Sequence, residues 1–220
     1  MISAQTISFL EGLRENNNKP WFDLHKKQYQ EAQSELTELV KRWQAGVGKF
    51  DADILLLEPK KCIFRIYRDV RFSKDKTPYK NNLGAYLSGG GKNISRAGYY
   101  FHLEPGNNMF ASGLYLPEGP ALDKVRQEID YQLPEFKAIL HDPVFLEAFP
   151  EGLSKEHQLK NPPKGYDKDH PAIDLLKLKS LVVFRKLEDR EIIGSNLMDT
   201  LIHLSYTAYP LVDFLNRSLD

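Results

Sequence analysis

A single cysteine, Cys62, stands in 220 residues, so no internal disulfide can form. Its place in an apolar stretch reads as a buried hydrophobe in a reducing compartment. No apolar run approaches the roughly 18 residues that a membrane span requires. The opening MISAQTISFLEGLRENN carries neither a basic leader nor a small-residue cleavage site. The expectation is a cytoplasmic protein with no membrane partner. Net charge is also missing, because thirty basic residues balance thirty acidic ones. That balance removes the overall attraction by which nonspecific nucleic-acid binders hold phosphates. There is no internal repeat, low-complexity tract or linker-like shift in composition, and the chain reads as a single domain over residues 1–220.

The familiar catalytic signatures are missing as well. No G-x-S-x-G elbow or Cys/His arrangement supports a nucleophile. Histidines at 25, 102, 141, 157, 170 and 203 show neither H-x-H nor H-E-x-x-H spacing, so no metal site is expected. The run Gly89-Gly90-Gly91-Lys92 fails as a phosphate-binding P-loop, since Tyr86 occupies the first glycine position and Asn93 the hydroxyl position. It reads as a hairpin tip to which Lys92 and Arg96 add charge. The motifs therefore assign no reaction and no cofactor.

What is present begins with helical periodicity. Ser3 is placed to cap a helix over about Ala4 to Asn16, which the asparagine run 16–18 ends. Pro20 suits the first turn of a longer helix with Ala32, Leu36, Leu39, Val40, Trp43 and Val47 on one face. The period then changes to two. Lys61 to Tyr67 and Asn82 to Ser88 read as strands, and Tyr99 to Glu104 and Met109 to Tyr115 flank the turn-forming Pro105-Gly106-Asn107-Asn108 as a hairpin. Helices are expected again after Pro120, from Pro134 to Leu140, after Asp142-Pro143 and over Ala172 to Leu178. Leu181 to Leu187 reads as a strand, and Asn196 to Leu219 as a helix interrupted or kinked at Pro210. Helices at both ends of a central antiparallel sheet make an α+β fold.

Charge is concentrated in one place. Between Arg65 and Asn82 six cations, Arg65, Arg68, Arg71, Lys74, Lys76 and Lys80, face two carboxylates, Asp69 and Asp75. Guanidinium forks and ammonium groups supply donors without acceptors and match anionic oxygens. Strand alternation puts Arg65 with Tyr67, and Tyr100 with His102 and Glu104. The leading expectation is therefore a small anionic or phosphorylated ligand bound by Arg65, Tyr67, Tyr100 and His102, with Arg68, Arg71, Lys74, Lys76 and Lys80 extending the site from a loop. His102 is the candidate general acid or base and Arg65 the charge stabiliser. The competing structural account has Asp69 and Asp75 pair with neighbouring arginines to hold the loop's shape. Two other functions stay open: a nucleic-acid module with Tyr67, Tyr79, Tyr99 or Tyr100 stacking on bases, and a noncatalytic interaction protein.

The segments FRIYRDVRFSKDKTPYKNN, GYYFHLEPGNNMFASGLYLPEG and PPKGYDKDHPAIDLLKLKS, with the opening FLEGLRENNNKPWF, together resemble the bacterial domain-of-unknown-function family 2461. The resemblance spans nearly the whole chain. It implies a single-domain cytoplasmic bacterial protein and carries no activity, cofactor or catalytic residue with it.

Overall fold

A computed structural model describes residues 2–91 and 95–220. Lys92, expected at the glycine-rich tip, lies outside the described residues. Helix α1 (Ala4–Glu15) starts where Ser3 Oγ accepts from the Thr6 amide at 3.2 Å. The asparagine run that follows does more than stop it. Asn17 donates to the Tyr79 carbonyl at 2.9 Å and accepts from the Tyr79 amide at 3.0 Å, an imitation of strand pairing that ties the N-terminus to the charged segment. Asn18 caps α2 (Lys19–Leu24), and His25 separates it from α3 (Lys26–Val47). The apolar face expected of the long helix is buried at each of its six positions.

A 3-10 turn (Ala52–Leu56) and the one-turn helix α4 (Pro59–Cys62) lead into the charged segment. The sheet is a meander of four antiparallel strands among the described residues: β1 (Leu83–Leu87), β2 (Gly98–Leu103), β3 (Asn108–Leu114) and β4 (Leu181–Leu187), in spatial order β1-β2-β3-β4. Between β3 and β4 run α5 (Gly119–Tyr131), α6 (Leu133–Leu140), α7 (Pro143–Ala148) and the short α8 (Ile173–Leu176). Asp142 caps α7 by accepting from the Val144 and Phe145 amides at 2.9 and 3.0 Å. After β4 come α9 (Asp189–Ile193), which opens with a capping box between Glu188 and Glu191, and α10 (Leu197–Arg217), which continues through Pro210 without interruption. The architecture is α+β.

The two sheet faces differ in kind. Leu83, Ala85, Leu87, Tyr99, Phe101, Leu103, Phe110, Leu114, Leu181 and Val183 point to one side and are buried against helices that include α3 and α10. The register pairs Gly84 with His102, Tyr86 with Tyr100, Tyr100 with Ala111, and Ala111 with Phe184, which places all of these on the opposite face. That face forms the floor of an open groove.

One expected strand is absent. Instead of a strand from Lys61 to Tyr67, Pro59 opens a helical turn; the chain then meets β1 through the isolated bridge Ile63 to Ala85, and folds back on itself through a second bridge, Tyr67 to Tyr79, outside the sheet. Phe64 donates its amide to the Gly84 carbonyl at 2.9 Å, so this segment borders β1 without completing a ladder.

Candidate functional site

The groove on the second sheet face has a volume of about 850 Å3, within the range of small-molecule sites. Its floor is Met109, Ala111 and Gly113 of β3 with Val182 and Phe184 of β4, flanked by Tyr86, Tyr100 and His102. Small residues keep the floor low. Gly113 has φ of +123°, and a Cβ there would lie 2.0 Å from the Leu181 carbonyl oxygen, so only glycine fits.

Along β2 the alternation of side chains produces a continuous hydrogen-bonded chain. The Tyr100 hydroxyl lies 2.9 Å from His102 Nδ1, and His102 Nε2 lies 3.0 Å from Glu104 Oε2. A carboxylate only accepts, so it places the proton of a neutral imidazole on Nε2, and Nδ1 then accepts from Tyr100. His102 and Glu104 are largely covered, with side chains 12% and 23% exposed. Burial pushes the Tyr100 hydroxyl up to about 12, with the Glu104 charge adding to it. Burial acts on Glu104 in the same sense, but hydrogen bonds from His102 and Asn107, with the nearby charge of Arg14, outweigh it and hold the carboxyl below its usual range. The hairpin behind Glu104 is fixed in turn. Its amide donates to Asn108 Oδ1 at 2.9 Å, and Asn108 donates to Asp189 at 2.6 Å.

Two cations frame this end of the groove. Lys80 arrives from the segment beside β1 and lies over the Phe64 ring at 5.5 Å, while Phe64 meets Tyr100 edge-on at 5.9 Å. Lys186 projects from β4, opposite Met109 in register. The other end carries Tyr115, Glu118, Glu156 and His157.

The expected site residues are therefore divided. Tyr100, His102 and Lys80 line the groove. Arg65 and Tyr67 do not join them. Because the residues after the α4 turn follow no regular strand, Phe64 is the residue facing Tyr100, and Arg65 is exposed on a separate hollow beside Gln30, Gln33 and Glu38 of α3. Tyr67 packs toward Phe22 and Tyr79. The loop cations bind one another's neighbours: Arg68 reaches Asp75 and both oxygens of Thr77, Arg71 grips Asp69 with two bonds of 2.9 and 2.6 Å, and Lys76 donates to the Val70 carbonyl at 3.0 Å. Lys74 is exposed on the same loop. Arg68 and Arg71 thus make the pairs with Asp75 and Asp69 that the structural account of the loop describes, while Lys76 turns to a backbone carbonyl.

Tyr86, Phe64 and Lys186 are groove residues that the sequence did not single out for a site. The alternation Val182, Phe184, Lys186 in β4 was a usable signal, but only the strand order and register show that it shares a sheet face with His102, across β3. Among the described residues no group of His, Cys, Asp and Glu is arranged to hold a metal ion. No described helix is long and apolar enough to cross a membrane.

No curated protein and no solved structure matches the chain. The family model described as conserved hypothetical protein (DUF2461) matches residues 5–214. Matched over nearly its whole length, from β1 to β4 and the helices on either side, this chain belongs to the DUF2461 family.

Proposed function

We propose that the groove binds a small ligand bearing an anionic group, held between Lys80 and Lys186, and that Tyr100 exchanges a proton with it. The observation that carries this reading is the chain Tyr100, His102, Glu104, whose tyrosine and histidine line the groove. Both ring nitrogens of His102 are engaged, so the histidine acts through the tyrosine. A ligand O–H or N–H donates to the Tyr100 oxygen; as that proton moves to Tyr100, the phenolic proton moves to His102 Nδ1, and the Glu104 carboxylate stabilises the imidazolium. Run in reverse, the same chain delivers a proton. Charge stabilisation, expected of Arg65, falls to Lys80 and Lys186. The internal pairing of the loop cations supports a small-molecule site over a track for nucleic-acid phosphates.

The test is binding of inorganic phosphate and a panel of small phosphorylated and carboxylated compounds, followed by thermal shift and calorimetry. The wild-type protein is expected to be stabilised, and Lys80→Ala or Lys186→Ala to weaken binding about tenfold or more, the scale of one lost charge-assisted hydrogen bond. Arg65→Ala and Arg71→Ala should leave it unchanged. Binding that survives both groove variants but is lost on Arg65→Ala would overturn the assignment.

A further inference from the structure

The groove has two ends of opposite charge. Lys186 continues the row of His102 and Met109 on β4, and Lys80 lies over Phe64 at the β1 edge of that row, whereas Glu118 and Glu156 stand where β3 ends and β4 begins. Among the described residues, Glu104 is engaged by His102 and Asn107, and Arg96 by Asp220, so neither offsets this polarity. At the acidic end, Tyr115 is exposed and its hydroxyl lies 3.4 Å from His157 Nε2. Carboxylates beside an exposed aromatic face make a favourable seat for an ammonium group. Between the ends the floor is Ala111, Gly113, Val182 and Phe184, with no formal charge. From the His102–Met109 row to the Gly98–Gly113 row is four residues along the strands, roughly 14 Å at about 3.4 Å per residue.

Resting on the anion-binding reading above, we infer that the ligand is an elongated zwitterion: an anionic head at Lys80 and Lys186, an apolar middle on the sheet, and an amine at Glu118, Glu156 and Tyr115. The charge order fixes its orientation, with the head beside Tyr100. The apolar floor favours a hydrocarbon or aromatic spacer over a sugar chain.

A homologous series of ω-amino carboxylates, measured by calorimetry beside alkanoates and alkylamines of equal length, tests this directly. Affinity should rise to a maximum where the chain spans the groove and there exceed the equal-length alkanoate by about tenfold, as a charge-assisted contact provides. The double variant Glu118→Gln and Glu156→Gln, both at exposed positions, should abolish that advantage and leave alkanoate binding unchanged. Equal affinity for amino carboxylates and alkanoates at every length overturns the zwitterion inference while leaving the anion site standing. Failure of every compound overturns the zwitterion inference alone if inorganic phosphate still binds, and overturns both if phosphate and the phosphorylated panel fail as well. An advantage that persists in the double variant also overturns the inference, because the amine then sits elsewhere.

Discussion

The Tyr100 hydroxyl is 2.9 Å from His102 Nδ1, two residues along a single strand, so the two side chains stand side by side on the groove face. An isolated strand would not hold such a pair in register. It depends on the carboxylate of Glu104 on the far side of the ring and on the absence of any side chain at Gly84, which lies opposite His102 on β1. A side chain at residue 84 would compete for the space occupied by the phenol.

Gly84→Ala is accordingly a perturbation aimed at the site. A Cβ at this position falls 2.8 Å from the Tyr100 hydroxyl oxygen, so the ring must move. Overpacking of this kind costs about 1–3 kcal/mol, and the expected functional consequence is larger than the loss of fold. The His102 Nδ1 resonance, followed by nitrogen-detected NMR, should lose the signature of an accepted hydrogen bond, as it does in Tyr100→Phe. An unchanged His102 resonance in Gly84→Ala would show that the phenol accommodates the methyl without leaving the imidazole.

The charged loop offers a contrast between two arginines that look alike in sequence. Arg68 is mostly covered and gathers Asp75 with both oxygens of Thr77, while Arg71 is exposed, pairs with its neighbour Asp69 and lies over the Phe72 ring. Asp75 is held down to about 2, chiefly by the Thr77 amide and then by Arg68 and the Thr77 hydroxyl. Arg68→Ala should therefore loosen residues 68–78, raising the rate of limited proteolysis there by roughly tenfold as the closed loop loses its hub. Arg71→Ala should change little, since exposed pairs contribute little. Equal cleavage rates in the two variants would deny Arg68 its special role.

How far the sequence could be read depended on the range of the interactions involved. Helix α3 was legible because its apolar stripe reports burial directly, and β4 was placed over Leu181–Leu187 by alternation alone. The segment from Lys61 to Tyr67 also alternates, yet alternation describes polarity, and whether a strand forms depends on a partner with free edge groups. Pro59 starts a turn, and the isolated bridge to Ala85 with the Phe64 amide bond to Gly84 follows in place of a ladder along β1. A shift of one residue then moves Arg65 away from the groove and brings Phe64 into it. Local spacing did identify Tyr100, His102 and Glu104 as neighbours, because i and i+2 share a face in any strand. Lys186 could not be joined to them without knowing the order of the strands.

Trp43 and Ser205 provide a test of the core that supports the sheet. The indole Nε1 donates to Ser205 Oγ at 2.9 Å between α3 and α10, and that hydroxyl donates onward to the Leu201 carbonyl at 2.7 Å. Both residues are fully buried. Ser205→Ala leaves the indole N–H without a partner, a loss of about 1–3 kcal/mol. Urea unfolding should show a lower midpoint with an unchanged slope. A midpoint within error of wild type would mean that another acceptor reaches the indole.

Asp51 carries a pH dependence of definite sign. Its carboxylate accepts from the Tyr99 hydroxyl at 3.0 Å at the end of α3. Burial raises its affinity for a proton, the Tyr99 bond opposes this, and nearby Asp53 reinforces it, leaving the carboxyl above its ordinary range. The folded protein therefore holds this proton more tightly than the unfolded chain, where the value is about 3.9. The stability gained is complete below that pH and is lost as pH rises through the higher folded value. Asparagine accepts from Tyr99 equally well and cannot ionise. The stability of Asp51→Asn relative to wild type should thus increase between about pH 4 and pH 7, seen as a growing difference in Tm. A constant difference across that range would show that Asp51 ionises in the fold as freely as in the unfolded chain, and that its contact with Tyr99 offsets its burial completely.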